Sequence, residues 1–151
     1  MPIAIVTGAS RGLGFENAKG LAALGYDIVM VAKDQSRLST AQQSLQRDFS
    51  DRTFSTYAVD LADLVATRAT ISQIATAHPN PDVVILAHGV MSEKMSKTLR
   101  TTDEEWRRVM AINLDSVFIL VNGLVPSMAE ARMGRVIIYS ACLGRMSYLC
   151  E

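Results

Sequence analysis

The chain opens with a short apolar run, Ile3–Val6, that breaks at once into Thr7-Gly8-Ala9-Ser10-Arg11-Gly12-Leu13-Gly14 and then into a helical pattern. Few architectures accept that succession. An unbroken apolar run reads as a strand buried on both faces, Pro2–Thr7. Three glycines between strand and helix mark a backbone that turns tightly and stays clear of side chains. The helical pattern, Arg11–Leu24, puts Leu13, Ala18, Leu21, Ala22 and Leu24 on its apolar side, and Gly25 stands where a helix stop belongs.

The alternation of short apolar runs with longer helical patterns continues along the chain. Asp27–Ala32 reads as a second strand, Ser36–Asp48 as a polar helix and Thr53–Val59 as a third strand. Ala62–Ala77 has helical periodicity through Leu64, Ile71 and Ile74, and His78-Pro79-Asn80-Pro81 ends it. Val83–Ala87 is a fourth strand, followed by a polar loop from about His88 to Thr101. Thr102 and Glu105 form a capping-box pair that opens a long helix, Asp103–Val125, through Trp106, Met110, Leu114 and Phe118 toward Pro126. Arg135–Tyr139 is a fifth strand. With no internal repeat, linker or low-complexity segment, residues 1–151 are expected to form a single domain. Such alternation means βαβ units and a parallel sheet, of which the Rossmann-type doubly wound α/β fold is the commonest form. Ligands of these sheets sit at the carboxyl ends of the strands, so function is expected in the loops that follow them.

Charge narrows the partners. Lys plus Arg and Asp plus Glu number 15 each, which leaves no net basic footprint for nucleic acid or an anionic membrane surface. No apolar run reaches the ~20 residues of a membrane span, and no basic leader precedes Ile3, so a cytoplasmic protein is expected. The two cysteines, Cys142 and Cys150, match no zinc spacing, so no metal site is expected.

In the opening loop, Gly8 can supply the turn out of the strand. Gly12 lets backbone approach a pyrophosphate, and Gly14 lets the helix pack close to the sheet. The helix start offers free N–H groups and the positive end of its dipole to the phosphates. Asp60 closes the third strand at the sheet's carboxyl edge. It is read either as an acceptor for an adenine amino group or as the cap of the helix from Ala62. Asn113, among apolar helix neighbours, must find partners of its own.

Thr7-Gly-x-x-x-Gly-x-Gly14 resembles the cofactor fingerprint of the short-chain dehydrogenase/reductase family, and the resemblance runs through the chain in order. Val59-Asp60-Leu61 looks like the family's adenine-contacting turn. Leu86-Ala87-His88-Gly89 stands where the family has Asn-Asn-Ala-Gly. Ala111-Ile112-Asn113-Leu114 looks like the segment with the catalytic Asn, and Gly134–Ala141 like the strand leading to the catalytic Ser. The resemblance implies hydride transfer between a nicotinamide cofactor and a small-molecule carbonyl or alcohol. Cofactor contacts are then expected at Thr7, Gly8, Ser10, Arg11, Gly12, Leu13, Gly14, Lys33, Asp60, Leu61, Ala87 and Gly89. Asn113 and Ser140 are the catalytic candidates.

At the end of the second strand, NAD sites commonly place a carboxylate for the ribose 2′-hydroxyl. Here Ala32 is followed by Lys33. Together with Arg11, Lys33 would attract a 2′-phosphate, so NADP is expected over NAD; read alone, Lys33 is a solvated surface lysine.

The chain departs from the family at three places. The family's Tyr-x-x-x-Lys pair is missing: Tyr148 is the last tyrosine, and the position four further on lies past Glu151. The sequence therefore reads as cut before that pair. The family register for the catalytic Ser falls on Ala141, with Ser140 one residue early, and adjacent strand residues face opposite sides. The usual Asn-Asn-Ala becomes Leu86-Ala87-His88. A non-catalytic nucleotide-binding or interaction module is the alternative expectation. In the strand order implied, 3-2-1-4-5, the family's further C-terminal strands are absent and the fifth strand becomes an apolar edge. The long helix is expected to contribute to a homo-oligomer.

Overall fold

The computed structural model describes residues 1–92 and 100–141. Five strands, β1 (Ile3–Thr7), β2 (Asp27–Ala32), β3 (Phe54–Ala58), β4 (Val83–Leu86) and β5 (Arg135–Ile138), form one parallel sheet in the order β3-β2-β1-β4-β5. The helices are α1 (Gly12–Ala23), α2 (Gln35–Asp48), α3 (Leu64–Ala77), α4 (Asp103–Met110) and α5 (Ser116–Ala131), with a π-helical turn, Ala111–Asp115, joining the last two. This is the doubly wound architecture that the alternation predicts.

The central strand shows why. Residues two apart share a face of a strand. Ala4 and Val6 pack in one layer with Ala18 and Ala22 of α1 and Leu38, Ala41 and Leu45 of α2. Ile5 packs in the other with Ile71 and Ile74 of α3 and Leu120, Leu124 and Met128 of α5. Both faces of β1 are therefore dry, which its unbroken apolarity requires. All four carboxyl ends from β1 to β4 then open on one side of the sheet.

Several boundaries differ from the sequence reading. The packed residues of α1 are Gly14, Ala18 and Ala22, whereas Leu13 and Leu24 are exposed. Small residues let this helix lie close to β1, so the leucines are turned outward. The third helix starts at Leu64, not Ala62, because Asp63 accepts hydrogen bonds from the Val65 and Ala66 amides as its cap. Asp60 therefore does not cap α3; its Oδ1 accepts from Ala62 N in the turn before the helix. The long helix continues through Pro126 to Ala131. Proline normally breaks a helix interior, but burial of Leu124 and Met128 on either side of it holds the continuation in place. The unbroken helical run Asp103–Ala131 is 29 residues and is long and apolar enough by composition to cross a membrane, contrary to the sequence reading. In the fold its Ile119, Leu120, Leu124 and Met128 are buried, as in a core helix.

The fifth strand ends at Ile138, one residue earlier than expected. Among the described residues it is the sheet edge, with Val136, Ile137 and Ile138 38%, 44% and 50% exposed. The apolar edge anticipated from the sequence is present.

Candidate functional site

The loop between β1 and α1 takes the shape its glycines permit. Gly12 has φ +56°, and a Cβ built there would meet no atom within 4 Å, so its outer side faces open space. Gly14 is the opposite case: a Cβ there would drive into the Gly8 carbonyl, so glycine is required for α1 to pass under the loop. Among the described residues no side chain caps α1, where Asp34, Asp63 and Thr102 cap α2, α3 and α4. Its first turn also holds no acidic residue. The amides there are left to a ligand or to solvent, a standing invitation to an anion.

A cavity of about 370 Å³ opens over this loop. Its wall includes Gly8, Ser10, Arg11 and Gly12 from the loop, Lys33 beyond β2, Asp60 and Leu61 beyond β3, and Ala87 and Gly89 beyond β4. Residues from four separate loops that the sequence singles out thus share one space. Thr7 and Gly14 are not on its wall: Thr7 is fully buried beneath it and Gly14 supports the loop from behind. Leu13 lines an adjoining cavity of about 490 Å³ together with Ala87, His88, Gly89, Asn113, Tyr139, Ser140 and Ala141.

Charge in the first cavity is organised around Lys33. Its Nζ lies 2.7 Å from Asp60 Oδ2, a pairing the sequence reading missed. Lys33 holds the Asp60 carboxyl below the ordinary carboxylate range; partial burial opposes the shift and the Ala62 amide assists it. Lys33 is exposed, as the solvated-lysine reading has it, but it is tied to Asp60 at the cavity wall. Arg11 is exposed in the same cavity.

The second cavity is built on the π-helical turn. Asn113 reaches from this turn to Val90, accepting from its amide at 2.8 Å and donating to its carbonyl at 2.7 Å. Asn113 is exposed, and its amide uses one acceptor and one donor on the Val90 backbone. His88 also joins this turn. Its Nδ1 is 2.6 Å from Thr7 Oγ1, its Nε2 is 2.9 Å from Ser116 Oγ, and Ser116 donates to the Ile112 carbonyl at 2.7 Å. Burial pushes the His88 ring below its ordinary pKa, against a smaller opposing pull from the Ile112 backbone. One signal for this arrangement stands in the sequence, a polar ring directly after an apolar strand. Because β5 stops at Ile138, Ser140 and Ala141 both lie beyond the strand, and strand alternation no longer separates them. The Tyr139 hydroxyl accepts from Asn17 Nδ2 at 3.0 Å. Cys142, Tyr148 and Cys150 lie outside the described residues.

The family model for short chain dehydrogenases matches residues 2–151. The chain belongs to the short chain dehydrogenase family. The 3-oxoacyl-(acyl-carrier-protein) reductase FabG of Escherichia coli (strain K12) is 28% identical over 144 residues, covering 95% of this chain and 56% of that protein. The human dehydrogenase/reductase SDR family member 13 is 27% identical over 148 residues, covering 96% of this chain and 38% of its own length. Among solved structures, L-sorbose reductase from Gluconobacter frateurii, complexed with NADPH and L-sorbose, superposes with a TM-score of 0.86 at 28% identity. That match covers 97% of this chain and 55% of the reductase. A metagenomic short-chain oxidoreductase in complex with NADP superposes with a TM-score of 0.89 at 28% identity, covering 97% and 65%. This short chain dehydrogenase chain spans about half the length of its FabG relative.

Proposed function

We propose that this chain binds NADP(H) and supplies the cofactor-binding part of an oxidoreductase that moves hydride between the nicotinamide and a small-molecule carbonyl or alcohol. One observation carries the reading. An uncapped helix start, an open-sided Gly12 and two cations, Arg11 and Lys33, converge on a single cavity at the carboxyl ends of the strands. The fit is chemical as well as spatial. Backbone amides suit a pyrophosphate, a backbone without a Cβ at Gly12 admits its close approach, and the cations suit the further phosphate of NADP. The NADPH and NADP held by two of the similar structures support the same choice.

When bound, the cofactor supplies or accepts the hydride. The residues of this chain bind and orient it. Ser10, Gly12 and the first turn of α1 hold the phosphates, with Thr7 and Gly14 supporting them from below. Asp60 and Leu61 bound the adenine end. Leu13, Ala87 and Gly89 bound the path to the second cavity, and Asn113 keeps its wall in place through Val90. Ser140 faces that cavity and is the candidate to hydrogen-bond a reacting oxygen. The exposed apolar side chains Trp106, Leu114 and Phe118 along the long helix suit a second copy of the chain. Sedimentation of the purified protein tests that assembly.

Ala141, at the family's catalytic Ser position, favours a second reading, a nucleotide-binding module without turnover. Fluorescence titration with NADPH and NADH tests the first claim: saturable binding with NADPH the tighter ligand is expected, and no saturable binding of either overturns it. Oxidation of NADPH across a panel of small carbonyls then separates the readings, since turnover rules out the module.

A further inference from the structure

The hydrogen bonds around His88 fix its protons. The Ile112 carbonyl can only accept, so Ser116 spends its single hydroxyl proton on it at 2.7 Å. Ser116 Oγ must then accept from His88, which places a proton on Nε2. In a neutral ring Nδ1 is bare, and it accepts from the Thr7 hydroxyl at 2.6 Å. The result is one directed chain: Thr7 to His88 to Ser116 to Ile112. Burial of the ring keeps it in the neutral form this chain requires.

The two ends of that chain matter. Thr7 is the last residue of β1 and directly precedes Gly8 of the phosphate loop. Ile112 and Ser116 belong to, or directly follow, the π-helical turn that carries Asn113. Asn113 grips the Val90 backbone from the same turn. The segment from His88 to Val90 is thus fastened to the turn twice, by the side chain of its first residue and by the backbone of its last. Between them lies Gly89, on the walls of both cavities.

We propose that His88 is a positioning residue: as the Nε2–H tautomer it locks the end of β1 to the π-helical turn and so sets the Gly89–Val90 wall against which the nicotinamide end of the cofactor lies. The proposal rests on the cofactor reading above. It predicts an asymmetric effect, because the adenine end is bounded by Lys33, Asp60 and Leu61, none of which the His88 hydrogen bonds touch.

Two measurements on the full chain test it. In nitrogen-15 NMR of the unaltered protein at neutral pH, His88 should carry its proton on Nε2, with His78→Gln serving to assign the ring. A proton on Nδ1, or a ring averaging between tautomers, overturns the proposal. Calorimetry then compares NADPH with 2′,5′-ADP, which lacks the nicotinamide half. His88→Ala should weaken NADPH about tenfold, the scale of a lost aligning hydrogen bond, while leaving 2′,5′-ADP affinity unchanged. His88→Gln, which keeps one donor and one acceptor, should recover part of the loss. Unchanged NADPH affinity, or equal loss of both ligands, overturns the proposal. Failure of the unaltered chain to bind 2′,5′-ADP would remove the cofactor reading instead.

Discussion

Replacing Lys33 by alanine tests the choice between the two nicotinamide cofactors. The Lys33 side chain is 75% exposed and pairs with Asp60 at 2.7 Å. A 2′-phosphate brings close to two negative charges. At a separation of ~4 Å a unit charge pair is worth ~1 kcal/mol in water and ~4 kcal/mol at an effective dielectric of about 20. The exposure of Lys33 places it near the aqueous limit, so its attraction for the phosphate is ~1–2 kcal/mol. Against this stands the loosening of the Asp60 pair, an exposed contact worth ~0.2–1 kcal/mol. The difference is ~1 kcal/mol, or about fivefold in the ratio of NADPH to NADH affinity. Fluorescence titrations of both cofactors measure that ratio, and the ratio cancels whatever Lys33 contributes to the shared part of the ligand. Lys33→Ala should lower it about fivefold at physiological salt and by more at low salt, where screening is weaker. Asp60→Asn should raise it, since the rival acceptor for Lys33 loses its charge. An unchanged ratio in Lys33→Ala would refute the assignment of Lys33 to the 2′-phosphate. A lowered ratio in Asp60→Asn would refute the competition between the two acceptors.

Other outcomes follow from the same geometry. Gly14→Ala forces a methyl group into the Gly8 carbonyl and should destabilise the fold by ~1–3 kcal/mol, read as a lowered denaturation midpoint. Asn113→Ala removes both hydrogen bonds to Val90 and should cost ~1–2 kcal/mol in stability, with faster hydrogen exchange at the Val90 amide. His78 and His88 both lie below the ordinary value of 6.5 because burial disfavours the charged ring. The unfolded chain therefore takes up protons first as the pH falls, so stability present above pH 6.5 is lost as the pH drops through 6.5 toward the folded-state values. The melting temperature should decline across that window, and replacing both histidines by glutamine should flatten the decline.

The fold was legible because both faces of the central strands are buried and each helix must bury one side. Apolar runs such as Val83–Leu86 and the periodicity of Leu64, Ile71 and Ile74 record that directly. The phosphate loop was legible because only glycine satisfies both the left-handed turn at Gly12 and the close crossing at Gly14. Details governed by contacts distant in sequence were not. Leu13 looks like a core residue of α1, yet Gly14, Ala18 and Ala22 take the packed side. Pro126 reads as a stop, yet the burial of Met128 beyond it carries the helix to Ala131. The Lys33–Asp60 pair joins residues on neighbouring strand ends, and the His88 hydrogen bonds join three segments, so no local spacing announces either. Where Ser140 faces could not be read from alternation, because β5 ends before it.

Gly12 offers the most direct test of where the cofactor lies. Aspartate tolerates the left-handed backbone at this position better than most residues, and its Cβ would enter open space, so Gly12→Asp should still fold, with its stability lowered by the ~1 kcal/mol that a side chain costs in this conformation. Its carboxylate would stand where the pyrophosphate approaches. Calorimetric titration with NADPH should show saturable binding by the unaltered chain and a loss of at least about tenfold in Gly12→Asp. Equal NADPH affinity in the two folded proteins would contradict a cofactor seated on the β1–α1 loop.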